Sequence, residues 1–153
     1  MNNIFEKKPP EDYQEIVGYF SWTAYITPLI YNIVIAIVLH FISVYLLIIP
    51  ILLLTHAFFI TKSGVLFLDN DGVWFYQGVF PWNSGTTGVK WRDLDEALMR
   101  LGFFSWALKS YTVEINHRYT KDQEFKLSHI KDGDKAVFRI NEIHKKFFDK
   151  IDS

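Results

Sequence analysis

Cysteine is absent from the 153 residues. That removes disulfide scaffolds, thiolate metal sites, iron–sulfur clusters and cysteine nucleophiles together. Net charge is almost absent as well, at −1, so no global basic field draws the chain to nucleic acid, and no nucleic-acid partner is expected. The largest absence is local. No Asp, Glu, Lys or Arg occurs between Glu15 and Lys62, which leaves 46 uncharged residues from Ile16 to Thr61. What is plentiful is apolar surface: half of the chain is hydrophobic and 18% is aromatic. That mix excludes intrinsic disorder, which needs low hydrophobicity and high net charge.

Within the uncharged interval 34 of the 46 residues are apolar. One helix of that length would measure about 69 Å, far beyond the roughly 20 residues that cross a bilayer. Two helices and a tight turn fit instead. Pro50 leaves too short a return, whereas Leu39-His40-Phe41-Ile42-Ser43 divides the run evenly, so the sequence predicts helices over Ser21–Leu39 and Ser43–Ile60. The second carries twelve Leu, Ile, Val and Phe residues and gains about −4 to −7 kcal/mol on insertion. Pro28 and Asn32 offset part of the gain of the first, which favours insertion as a hairpin. The start, Met1-Asn2-Asn3-Ile4-Phe5-Glu6, lacks the basic opening of a signal peptide, and the apolar run is too long for one. The segment is expected to stay as an anchor. A soluble core hairpin is the competing reading, but the residues after Thr61 are too few to bury both helices all round. Lys7 and Lys8 before the run and Lys62 after it, with no Lys or Arg at the turn, predict an integral inner-membrane protein with both termini cytoplasmic. Tyr19, Phe20, Trp22 and Tyr25 suit the interface at one end and Phe41 and Tyr45 at the other.

After Lys62 the character changes. Val65–Leu68, Asp69-Asn70-Asp71-Gly72 and Val73–Tyr76 read as strand, turn and strand, with Asp-Gly as the hairpin signal. Pro81 places Gly78–Trp82 at an edge or corner. Asn83–Gly88 reads as a loop, Val89–Leu94 as a half-buried strand, and Leu98–Trp106 as a short strand and a turn. Tyr111–Asn116 and Phe125–Ile130 alternate around a polar turn at Lys121–Glu124. The period then changes: Ala136, Ile140, Ile143, Phe147 and Ile151 recur at three- and four-residue steps, an amphipathic helix over Asp134–Ile151. Asp132 or Asp134 can cap it, and Lys145, Lys146 and Lys150 suit its other end. Before the hairpin, Pro9-Pro10 and then Glu11–Tyr19 read as a turn and a short helix.

Six or seven short strands closed by a C-terminal helix, after a membrane hairpin and with the openings Ser63-Gly64-Val65 and Asp71-Gly72-Val73, resemble the bacterial membrane proteins that carry a pleckstrin-homology-like domain. The resemblance covers about residues 20–150. It implies an α+β membrane protein: an N-terminal two-helix transmembrane hairpin, then a small antiparallel β-barrel closed by a C-terminal amphipathic helix. The units would be a cytosolic arm over 1–20, the hairpin over 21–61 and the β domain over 62–153. It also implies a binding or scaffolding module without catalysis.

A search for chemistry gives little. His40 and His56 fall near opposite ends of the hairpin, so they cannot share a haem, and no cofactor is expected. A polar or ionisable group inside a membrane span is a functional candidate by default, which singles out Asn32 and His56. His117, His129 and His144 lack metal-ligand spacing; neighbouring strands could still bring His117 and His129 together. Asp93, Asp95 and Glu96 read as a solvated strand end. Asp69-Asn70-Asp71-Gly72 resembles part of a calcium loop but lacks the later glutamate. The same acidic turn opposes the phosphate binding that pleckstrin-homology domains place at their first hairpin. No Gly-Lys-Ser/Thr loop and no Gly-x-Ser-x-Gly elbow occurs, so no enzyme activity is expected. The aromatic excess over a small core marks Phe80 and Trp82, and Phe103, Phe104 and Trp106, as a surface for the bilayer or a protein partner. The expected job is to hold a protein partner or membrane complex at the inner face. The competing class makes the hairpin the working part, as in a membrane-embedded immunity protein or a small accessory subunit.

Overall fold

A computed structural model describes residues 15–100, 102–118 and 125–151. The polar turn expected at Lys121–Glu124 and the arm before Glu15 lie outside them. Two helices are long and apolar enough to cross a membrane, Trp22–Ile42 and Val44–Ser63, of 21 and 20 residues. At 1.5 Å per residue each spans about 30 Å, the thickness of a hydrocarbon core. Each opens with a four-residue 3-10 turn, Trp22–Tyr25 and Val44–Leu47, before α1 (Ile26–Ile42) and α2 (Ile48–Ser63). The prolines explain this shared form. Pro28 and Pro50 are each the third residue of their α-helix, so the hydrogen bond each cannot donate falls in the transition from the 3-10 turn. The turn between the helices is at Ser43, whose extended backbone (ψ 135°) breaks the helix. It is not centred on His40, which lies in the last turn of α1. The outer faces carry unburied apolar side chains such as Ile30, Val34, Ile48 and Leu52.

The hairpin is inserted between two adjacent strands. β1 (Glu15–Tyr19) pairs antiparallel with β2 (Val65–Leu68), and Tyr19 is the register partner of Val65. Residues 15–19 are therefore a strand and not the end of a short helix: pairing with β2 overrides the weak local signal. β2 continues through the Asp69–Gly72 turn into β3 (Gly72–Gln77), which pairs with β4 (Gly85–Lys90). The second sheet holds β5 (Leu94–Arg100), β6 (Ser110–His117) and β7 (Phe125–Lys131), with the short helix α3 (Phe103–Leu108) between β5 and β6. The expected loop over 83–88 is thus largely strand, and the strand expected over 89–94 is divided by a turn at Trp91–Asp93.

The two sheets, ordered β1-β2-β3-β4 and β5-β6-β7, do not close into a barrel. Among the described residues one isolated bridge, between Phe20 and Ile130, links their edges. The expected closure fails because, among the described residues, no continuous ladder joins β1 to β7 or β4 to β5. Instead the inner faces, with Leu66, Leu68, Val73, Phe75, Leu94, Val113, Ile115 and Ile130, pack on each other and on Ala136 and Ile140 of α4 (Gly133–Ile151). Trp91, 2% exposed, is the largest fully buried side chain. Its Nε1 donates to the carbonyl of Asp69 at 2.9 Å and its backbone N–H donates to Asp71. The β4–β5 corner thereby holds the first hairpin turn.

Candidate functional site

Chemistry-bearing side chains collect where the hairpin meets the β domain. On the α2 side the helix runs to Ser63 and β2 starts at Val65, so Gly64 alone separates them. The connection is shorter than the four residues left between the expected helix end at Ile60 and the expected strand start at Val65. Ser63 Oγ donates to the carbonyl of Ile60 at 2.7 Å and accepts from the N–H of Gly78 at 3.0 Å. Gly78 has φ +150°, and a Cβ there would sit 2.3 Å from Ser84 Cα. The 78–84 loop is thus pinched at its neck and latched to the end of α2. Its tip returns along the helix: the Phe80 ring stacks on His56 at 6.1 Å and on Trp82 at 5.0 Å with the planes 4° apart. His56 is seven residues, about 10 Å of helix, inside the end of α2. Trp82 is 82% exposed. Three of the side chains singled out in the sequence therefore form one three-ring stack.

On the α1 side lies α3. Phe103 and Trp106 project from it and are 75% and 69% exposed; the side chain of Phe104 lies outside the described part. Ser105 and Leu108 of α3 line a cleft with Thr23, Ile26 and Thr27 from the start of α1. The two aromatic segments thus flank the two feet of the hairpin. Asn32 is in neither group: its Nδ2 donates to the carbonyl of Pro28 at 2.8 Å, and its buried Oδ1 has no hydrogen-bond partner among the described residues.

A polar cluster that the sequence did not reveal ties α1 to the second sheet. Thr23 Oγ1 lies 2.5 Å from Ser110 Oγ and 3.0 Å from His129 Nδ1. The carbonyl of His129 accepts from the N–H of Ser21 at 2.6 Å. Thr23, Ser21 and Ser110 are buried, so these bonds satisfy groups that would otherwise be orphaned. His129 adopts φ +64°, at a point where Tyr111 pairs with Ile130 but Val113 pairs with Leu127. Three steps along β7 oppose two along β6, which is a β-bulge, and the left-handed residue of such a bulge re-aims its side chain. Alternation would otherwise forbid both Leu127 and Ile130 from facing the core. His117 ends β6 at the other extremity and pairs with Leu94, so the two histidines do not meet.

As chemistry the cluster is a hydrogen-bonded knot. Thr23 has one hydroxyl proton to share between Ser110 and His129, and among the described residues no carboxylate is hydrogen-bonded to the imidazole. The remaining candidates separate. Asp95 and Glu96 are exposed on β5, and the Asp69–Gly72 segment is a tight turn whose ends exchange hydrogen bonds of 3.0 and 3.4 Å. Among the described residues no group of three or more His, Asp or Glu side chains is arranged to hold a metal ion. Burial pushes the His144 imidazole below its ordinary range, where it faces Trp91 and Phe148 behind α4. No protein-family model, curated protein or solved structure matches the chain.

Proposed function

We propose that this chain is a membrane-anchored, non-catalytic binding module. Its hairpin spans the inner (plasma) membrane with both termini cytoplasmic, and its β domain holds a protein partner or membrane complex at that face. The observation that carries this reading is the pairing of Tyr19 with Val65 across the hairpin. Strands that pair side by side lie on one side of any bilayer their connecting helices cross, and Lys62 supplies the cytoplasmic bias. The stack of His56, Phe80 and Trp82 beside α2, and Phe103 and Trp106 beside α1, support a domain resting in the headgroup layer, where Trp is favoured. A four-stranded meander, a three-stranded meander and a C-terminal helix support the pleckstrin-homology-like kinship.

The test exchanges residues 22–63 for an unrelated two-helix hairpin and places a photo-crosslinker at Trp82 or Phe103 in both proteins. Crosslinks to the same protein in both forms are expected. A second reading draws on the buried, unpaired Oδ1 of Asn32: the hairpin itself works in the membrane, as an immunity protein or accessory subunit does. Crosslinks lost in the exchanged protein, at equal expression, favour that reading. A reporter fused after Ser153 that is active only in the periplasm overturns the orientation.

A further inference from the structure

The cleft at the foot of α1 holds about 240 Å³ and is lined by Thr23, Ile26, Thr27, Ser105, Leu108, Ser110 and His129. We propose that it binds an uncharged amphiphile drawn from the bilayer, one whose small head carries carbonyl or hydroxyl oxygens. The inference rests on the membrane reading above, because the cleft opens at the first turn of a membrane span.

Three features select the ligand. None of the seven lining residues is Asp, Glu, Lys or Arg, so the cleft offers no carboxylate to an ammonium and no lysine or arginine to a phosphate. Four hydroxyls and one imidazole supply both donors and acceptors, which suit carbonyl and hydroxyl oxygens. Ile26 and Leu108 supply apolar wall for the carbon skeleton beyond the head. The volume admits a six-membered ring or a glycerol unit and leaves an acyl or prenyl tail outside, along the exposed face of Ile30 and Val34.

The imidazole is held ready for this. Its Nδ1 faces Thr23 at 3.0 Å and Ser110 at 3.5 Å, which fixes the ring of an otherwise exposed residue and uses Nε2 in neither bond. The backbone pays a steric cost for the arrangement, since a bulge residue at φ +64° is glycine's conformation. Strain of this kind at a non-glycine residue concentrates where a side chain is used.

The test uses the full chain, ring-¹⁵N-labelled at histidine, in nanodiscs of diether phosphatidylcholine, whose lipids lack ester carbonyls. The probes are 1-octanoylglycerol and a decyl-substituted benzoquinone, with decyl phosphate as the charged contrast. We expect saturable shifts of the His129 ring with either neutral probe, and still His40 and His117 signals. Thr27→Trp, at an exposed position, fills the cleft and weakens the response about tenfold or more. The neutral probes also raise the thermal midpoint of the parent protein, and His129→Gly, which keeps the bulge, loses that rise whatever its own midpoint is. Response to decyl phosphate alone overturns the proposal, as does silence to all three from protein that co-purifies with the discs. Protein that stays outside the discs overturns the membrane reading instead, and a neutral-probe response from it relocates the ligand's source to solution.

Discussion

Glu114 is a carboxylate at 2% exposure on the outer face of β6, held by Arg100 at 2.6 Å and Lys126 at 2.9 Å. Hydrogen bonds from Lys126 and then Arg100 hold its pKa below the ordinary 4.5, against the opposing effect of burial. A depressed native pKa adds stability that is complete above about 4.5 and is lost as pH falls through the native value. Thermal unfolding of the detergent-solubilised protein at pH 7 and below pH 4.5 should therefore show a smaller acid loss in Glu114→Gln than in the parent. An equal loss places the acid sensitivity elsewhere. Gly64 acts through space. A Cβ there would meet the Phe20 ring at 2.3 Å, and that ring packs edge-on against Phe75 at 5.6 Å. Gly64→Ala should cost about 1–3 kcal/mol by overpacking, read as a lowered denaturation midpoint; an unchanged midpoint would mean the ring moves aside freely. Single residues were partly legible in the sequence. His56, Phe80 and Trp82 stood out by type and setting. The Thr23–Ser110–His129 knot did not, because its members are separated by 87 and 106 positions and Ser and Thr carry no periodic signal.

Elements were legible where one local pattern dominated. The Val65–Tyr76 hairpin and α4 follow directly from Asp-Gly and from the three- and four-residue apolar spacing. β4 was hidden because Gly85, Thr86, Thr87 and Gly88 read as a loop. Its glycine serves close approach: a Cβ on Gly88 would lie 2.2 Å from the carbonyl of Val73. α3 was hidden because Phe and Trp favour strands, yet Gly102 and the left-handed Lys109 bound a six-residue helix. How α4 attaches was invisible too. Asn141 accepts from the N–H of Ala97 at 3.0 Å and donates to its carbonyl at 2.9 Å, beside the irregularity in β5 between Leu94 and Ala97. The side chain replaces ladder partners that the bulge removes. Asn141→Leu leaves both backbone groups unpaired and should cost about 1–3 kcal/mol, with faster amide exchange at Ala97 and along α4. Unchanged exchange there would show that water or the neighbouring strand takes over.

At the scale of the molecule the sequence showed a hairpin followed by a domain, whereas the chain is a domain interrupted by a hairpin. The difference lies in β1, whose five residues fall partly inside the uncharged run and so read as the approach to a helix. Its strand character comes from partners 46 or more positions away, such as Val65 opposite Tyr19. That topology makes a sharp prediction. Since the hairpin leaves and returns at neighbouring strands, residues 22–63 can be replaced by Asn-Gly, which closes Phe20-Ser21 onto Gly64 in a short turn. The core residues Leu66, Leu68, Val73, Leu94, Val113, Ile115 and Ile140 all lie outside the deleted segment, and so do the sheet ladders. The bond from the N–H of Ser21 to His129 is kept, while the Thr23 contacts are lost. The shortened protein should be soluble without detergent, show near-ultraviolet dichroism from the buried Trp91, and unfold in one cooperative transition below that of the parent. A protein cut instead before Val65, which keeps the whole β2–α4 segment but loses β1, should lack that transition. β1 supplies the strand beside β2 and leads into Phe20, whose isolated bridge to Ile130 links the two sheets. If the two shortened proteins behave alike, β1 is dispensable and the hairpin is an appendage; if only the first folds, the hairpin is built into the sheet.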